Sequence, residues 1–279
     1  MPQQDQRGRK DHYIPRGYLK GFIDPARENL SKPFWKFDLA TKEWTMESPG
    51  SVGWKRGFYD YAESHPNLDN PDKTFKRFED EYPAHRDHIL RRNYKGWVKQ
   101  HKAFLLGYMQ MMRARSPLFI SQQTEQNRAL RGATVTSVGP GNEITVDSLE
   151  LRPLPEKFIR NRTIMQMNEE IQKGPDWMWS FHWCLRYTRS VHDPFVTADQ
   201  PLVVNGVHPD LATGVQRNDT LVFFPLCWQA CLVGSRDRFD YGTDEAHPLF
   251  LRQVRELFIR PSTGYVISPH RLDGQKFIP

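Results

Sequence analysis

Residues 84–115, AHRDHILRRNYKGWVKQHKAFLLGYMQMMRAR, are the most periodic stretch of the chain, and their reading decides how the remainder must fold. Leu90, Tyr94, Trp97, His101, Phe104, Tyr108, Met111 and Arg115 recur at alternating steps of four and three, which places them on one face of an α-helix. The sequence therefore predicts a helix from Ala84 to Arg115, in spite of Gly96 and Gly107. A shorter helical pattern at Phe75, Phe78 and Tyr82 precedes it, and Pro83 breaks or kinks the junction. Arg92, Lys95, Lys99 and Lys102 fall on the opposite face, where lysine and arginine make an ordinary solvated surface.

Working outward, the flanks change period from helical to alternating. FWKFDLATKEW carries Trp35, Phe37 and Leu39 at every second position and reads as a β-hairpin, with a further strand in VGWKRGFYDY. Residues 121–150 are polar and turn-rich and read as a surface excursion. PEKFIRNRTIMQMNEEIQ reads as an amphipathic helix with Phe158, Met165 and Ile171 inward, ended by Gly174 and Pro175. WMWSFHWCLRYT, PFVTADQPLVV, TLVFFPLCWQACLVG and GYVISP then read as strands, with a helix across 245–258. Strands at both ends around a helical middle predict an α+β fold, a mostly antiparallel sheet of N- and C-terminal strands packed on a central helical cluster. Residues 1–10 read as a flexible basic tail and 11–279 as a single α+β domain.

Bulk properties narrow the class of protein. In 279 residues, 39 Lys and Arg against 33 Asp and Glu leave a net charge of +6, which favours phosphate-rich partners such as nucleic acid or nucleotides. Cys184, Cys227 and Cys231 are an odd set in an apolar context, which predicts buried structural thiols in a reducing compartment rather than disulfides or zinc ligands. The start, MPQQDQRGRKD, lacks a signal-peptide core and no apolar run is long enough to span a bilayer, so the expectation is a cytoplasmic protein without a membrane partner.

Chemistry concentrates in three places. His12-Tyr13-Ile14-Pro15-Arg16 crowds an imidazole, a phenol and a guanidinium into five residues. These are either packed apolar residues with His12 and Arg16 solvated, or part of a site. Arg115 closes the apolar stripe five turns after Trp97, and an inward guanidinium must be neutralised by Glu79, by Asp199 or by a bound anion. Thr197, Asp199 and Gln200 interrupt an apolar strand before Pro201, where Asp199 makes an Asx-turn, binds a ligand or metal, or moves a proton. Walker, nucleophile-elbow, zincin and dinucleotide fingerprints are absent from the sequence. Asp11-His12 with Asn29 is similar to the start of the ββα-metal nuclease motif, but SKPFWKFDLATK supplies no second His or Asn at the required helical spacing.

Taken in order, HYIPR with Tyr18, Leu19 and Phe22, then Arg115-Ser116-Pro117, FVTADQPLVV, Phe224-Pro225-Leu226 and Val266-Ile267-Ser268-Pro269 resemble the pattern of a bacterial family, domain of unknown function 4238. Ala198 stands where that pattern usually has Ser, and Phe258 and its neighbours stand where an Asn often precedes the last strand. The resemblance implies that His12, Arg16, Arg115, Thr197 and Asp199 form a shared polar set. Combined with the charge, it leads to the expectation of a nucleic-acid- or nucleotide-directed phosphodiester hydrolase, a defence or toxin-type factor. In this reading His12 and Asp199 are catalytic, and Tyr13, Arg16, Arg115, Thr197 and Gln200 bind substrate. A divalent metal such as Mg²⁺ assists by neutralising charge. The alternative is a non-catalytic sensor that uses the same arginines to hold an anionic ligand.

Overall fold

A computed structural model describes residues 10–62, 71–92, 96–132, 135–138, 144–146, 152–205, 219–237, 243–262 and 264–272. The architecture is α+β. The predicted hairpin forms as β2 (Phe34–Asp38) and β3 (Trp44–Glu47), and β1 (Lys10–His12) precedes it and pairs with β4 (Trp54–Arg56). After the short helix α1 (Arg16–Leu19) the helical middle contains α2 (Pro71–Arg91), α3 (Trp97–Ala114) and α4 (Pro117–Ala129). Short strands β5 (Arg131–Gly132), β6 (Val135–Val138), β7 (Ile144–Val146) and β8 (Arg152–Pro153) lead to α5 (Glu156–Lys173) and α6 (Asp176–Trp179). The C-terminal part is β9 (His182–Tyr187), β10 (Thr197–Ala198), β11 (Val203–Asn205), β12 (Leu221–Cys227), β13 (Ala230–Ser235), β14 (Thr243–Glu245), α7 (Pro248–Ile259) and β15 (Tyr265–Ser268).

Strands from both ends of the sequence share one sheet, in the order β10-β15-β2-β3, all antiparallel. A second sheet, β11-β12-β13-β9-β14, is antiparallel except where β14 runs parallel to β9. Its strands lack strict alternation because both faces are covered. Val222, Phe224 and Leu226 join the core that contains α2 and α3, whereas Phe223, Cys231 and Val233 join the core that contains α7 residues Leu251, Val254 and Phe258. A continuous apolar run is what such a doubly buried strand requires.

Pro225 sits inside β12 because the pairing with β11 ends at Val203 opposite Phe223, so on that side no ladder partner is needed. The N-terminal segment fills the gap. The Tyr18 hydroxyl donates to the Pro225 carbonyl at 2.9 Å, the Tyr82 hydroxyl to the Leu226 carbonyl at 2.5 Å, and the Trp228 N–H to the Gly21 carbonyl at 3.0 Å. Tyr82 stacks on Tyr108 with ring centroids 4.1 Å apart, which locks α2 to α3 beneath the sheet.

Several boundaries differ from the expectations. The long helix is two helices: α2 runs on through Pro83 to Arg91, and α3 starts after Gly96, whose φ of 76° is left-handed. The stripe survives the division, with Trp97, His101, Tyr108, Met111 and Arg115 buried; Tyr94 and Lys95 lie outside the described residues. Residues 117–129 are helical rather than a polar excursion, since Ser116 caps the helix and Pro117 begins it. On α5 the buried face is Ile159, Thr163, Ile164, Met167 and, as expected, Ile171, whereas Phe158 and Met165 are exposed, because the apolar residues occupy two faces. Trp177 to Trp179 belong to α6 instead of a strand, and the segment after Ala198 turns before β11. Lys10 already belongs to β1, while residues 1–9 of the predicted tail lie outside the described residues. No described helix is long and apolar enough to cross a membrane. Cys184, Cys227 and Cys231 are buried unpaired thiols, and burial pushes Cys227 up to about 11, which keeps it protonated.

Candidate functional site

The geometry around His12 begins at a glycine. Gly53 adopts a φ of 69°, and its carbonyl accepts hydrogen bonds from the N–H groups of Tyr13 (2.8 Å) and Ile14 (3.1 Å), which turns the chain from β1 into α1. A Cβ at Gly53 would lie 2.9 Å from the Ile14 Cβ, so both the conformation and the close approach require glycine. Ile14 and Tyr18 are thereby buried, and Arg16 is left exposed at the start of α1. Of HYIPR, Tyr13 and Ile14 are packed into the core, Arg16 is exposed and His12 is partly buried.

His12 and Arg16 are in direct contact: Arg16 Nε donates to His12 Nε2 at 3.1 Å. The imidazole is half-buried, and burial, with Arg16, Arg115 and Lys10 nearby, depresses its pKa from 6.5 to about 4; a contact with the Val52 backbone opposes the shift. At neutral pH it is therefore uncharged and acts as an acceptor for Arg16. Arg16, Arg115 and Lys10, the charges that act on the ring, are all cationic.

Tyr13 and Asp199 do converge, through Tyr265. The Tyr13 and Tyr265 hydroxyls lie 3.1 Å apart, and burial, reinforced for each by Asp199, raises both phenols above their ordinary value. Asp199 Oδ2 accepts the Gly264 N–H at 2.8 Å, and the Asp199 N–H donates to the Tyr265 carbonyl at 3.2 Å, so the carboxylate ties β10 to the entry of β15. Thr197 is fully buried, with Oγ1 2.9 Å from the Tyr18 hydroxyl, and serves to seat α1 on the sheet. Gln200 is buried, and its Nε2 has no hydrogen-bond partner among the described residues.

Arg115 takes the structural option left open by the sequence. Its Nη1 donates to Glu79 Oε1 at 2.5 Å, its Nε to the Tyr59 hydroxyl at 3.3 Å, and its guanidinium lies 4.3 Å from the centre of the Phe75 ring. Burial opposes the charge, and Tyr59 and Glu79 outweigh it and hold Arg115 protonated. The basic face of α3 is separate from this region, with Lys102 packed over Trp179.

Three participants escaped the sequence reading. Tyr265 supplies the hydroxyl opposite Tyr13, and its only sequence signal was its place in GYVISP. Lys10 and Arg56 face each other across the β1–β4 ladder, a register that the sequence does not reveal. Among the described residues no group of three or more His, Cys, Asp or Glu side chains is arranged to hold a metal ion.

No curated protein and no solved structure matches the chain. A family model described as "Protein of unknown function (DUF4238)" matches residues 10–258, which span β1, the HYIPR turn, Arg115, the Thr197–Pro201 segment and α7 up to Phe258. The chain that carries the His12–Arg16 contact and the Tyr13–Tyr265 pair beside Asp199 is a member of the DUF4238 family.

Proposed function

We propose that this chain is a cytoplasmic nucleic-acid- or nucleotide-directed phosphodiester hydrolase, with its anion site at His12 and Arg16. The observation that carries the reading is the Arg16–His12 contact: an exposed guanidinium is held by a neutral imidazole rather than by a carboxylate. Such a guanidinium keeps its full charge for a ligand. A phosphate favours bidentate guanidinium contacts and draws Arg16 away from Nε2. Release of Nε2 frees the lone pair of His12, and the added negative charge raises the imidazole pKa toward neutrality. Binding thus converts a weak acceptor into a competent general base. Tyr13, the next residue along, and Tyr265, whose hydroxyl lies 3.1 Å from that of Tyr13, stay protonated at neutral pH and are the hydroxyl donors of this reading.

A second reading, a non-catalytic sensor of an anionic ligand, is favoured by a specific observation. Asp199 bonds the Gly264 N–H and Arg115 bonds Glu79, contacts that tie elements of the fold together rather than reach His12. One experiment separates the two. The protein is incubated with a panel of DNA, RNA and nucleotides, with and without Mg²⁺, while the His12 ring resonance is titrated against pH in the presence of inorganic phosphate. The hydrolase releases product and loses that activity on His12→Ala. The sensor shows a raised His12 pKa without turnover. An unmoved His12 titration with no product rejects the site.

A further inference from the structure

We propose that one face of the β1–β4 ribbon is the binding track for a single-stranded nucleic acid, formed by Lys10, His12, Arg16, Trp54 and Arg56. This deepens the His12–Arg16 reading and rests on it. The ladder pairs Lys10 with Arg56, Asp11 with Lys55, and His12 with Trp54. Residues directly opposite, and residues two apart, share one face of an antiparallel pair. Lys10, Arg56, His12 and Trp54 therefore lie together, and Arg16 joins them through its bond to His12.

The other face carries Asp11, which is buried against the protein, and Lys55, which is exposed. Asp11 is buried and accepts the Tyr59 N–H at 3.1 Å, and Lys55 Nζ lies 5.1 Å from the centre of the Phe58 ring. The single carboxylate of the ribbon thus lies on the Lys55 face, away from Lys10 and Arg56.

Two like charges directly opposite on a ladder are unfavourable. Lys10, Arg16 and Arg56 form no ion pair with a described carboxylate, so no negative charge offsets this repulsion within the described residues. A polyanion supplies it. Among polyanions, the ring decides for nucleic acid. Trp54 is partly exposed and fixed in place by a hydrogen bond from Nε1 to the Ser51 carbonyl at 3.0 Å, with Lys10 Nζ 4.2 Å from the ring centre. A preset aromatic ring among unpaired cations stacks a base while the cations hold the backbone, the combination that single-strand binders use. Bases of a duplex are already stacked and paired, and an acidic peptide or a lipid headgroup has no planar base to offer the ring.

The test measures binding of a fluorescent oligothymidylate by anisotropy across a salt series, in parallel with a duplex of equal length, phosphatidylserine vesicles and polyglutamate. Each phosphate neutralised contributes about 0.7 to the slope of log K against log salt for single strands. Lys10→Ala/Arg56→Ala is expected to lower the magnitude of that slope by about 1.4, and Trp54→Leu to weaken the single strand by about 5- to 150-fold. The charge variant removes an exposed repulsion, so its melting curve reports that the fold is intact. An unchanged slope in Lys10→Ala/Arg56→Ala, or binding of duplex, vesicles or polyglutamate as tight as that of the single strand, overturns the track. If phosphate still shifts His12 in that variant, only the track falls; if phosphate never shifts His12, the underlying anion site falls with it.

Discussion

Replacing Glu79 by Ala removes the counter-charge of a guanidinium that has almost no access to water. Arg115 is 2% exposed and its Nη1 lies 2.5 Å from Glu79 Oε1, so the variant leaves a buried cation against the Tyr59 hydroxyl and ring, the Met111 sulfur and the Phe75 ring, none of which carries a negative charge. Stripping one partner from a buried pair costs about 3–5 kcal/mol. The Glu79 side chain is 33% exposed, so water reaches the vacated position and the lower end applies, about 3 kcal/mol. That loss is roughly 100-fold in the folding equilibrium and about 6–10 °C in melting temperature for a chain of this size. Urea unfolding followed by circular dichroism measures it. Glu79→Ala/Arg115→Met, which removes both charges, is expected to recover most of the loss, because an apolar replacement of a buried pair is close to neutral. A loss below about 1 kcal/mol in Glu79→Ala, or a double variant no more stable than the single, would refute the assignment of Arg115 to the internal pair.

Two further outcomes follow from the same packing. His85 Nδ1 and His101 Nδ1 lie 2.8 Å apart between α2 and α3, and the ring centres of His88 and His101 are 4.9 Å apart. Burial, followed by the neighbouring imidazoles, depresses His101 to about 4; burial also lowers His85, with Glu81 opposing and His88 adding to the shift. Because the unfolded chain binds these protons near pH 6.5 and the folded chain resists them, stability is complete above about pH 6.5 and falls as pH drops toward 4. Melting temperature measured across that window should decline in the wild type and decline less in His101→Phe; parallel curves would exclude the cluster as the cause. Tyr18→Phe keeps the aromatic packing but deprives Thr197 Oγ1 and the Pro225 carbonyl of a buried partner, with an expected loss of about 1–3 kcal/mol in urea unfolding. A loss near zero would mean that the hydroxyl does not seat α1 on the sheet.

The sequence by itself determined the class of fold and the inward face of α3, because periodicity is a local record of burial: Trp97, Tyr108 and Met111 had to face a core whatever that core was. It also determined that Arg115 needed a neutralising partner, and it named Glu79 as one. It misplaced the α2–α3 break and the buried face of α5, where a proline in the first case and two competing apolar faces in the second are resolved only by what packs against them. Tertiary structure alone decided that Arg115 goes to Glu79, that Asp199 bonds Gly264 on the far side of the chain, and that Tyr13 meets Tyr265. These are contacts between residues widely separated along the chain, set by sheet order and register. The same holds for Lys10 against Arg56. Nothing in either short segment specifies its partner, and only the pairing of β1 with β4 puts their charges on one face.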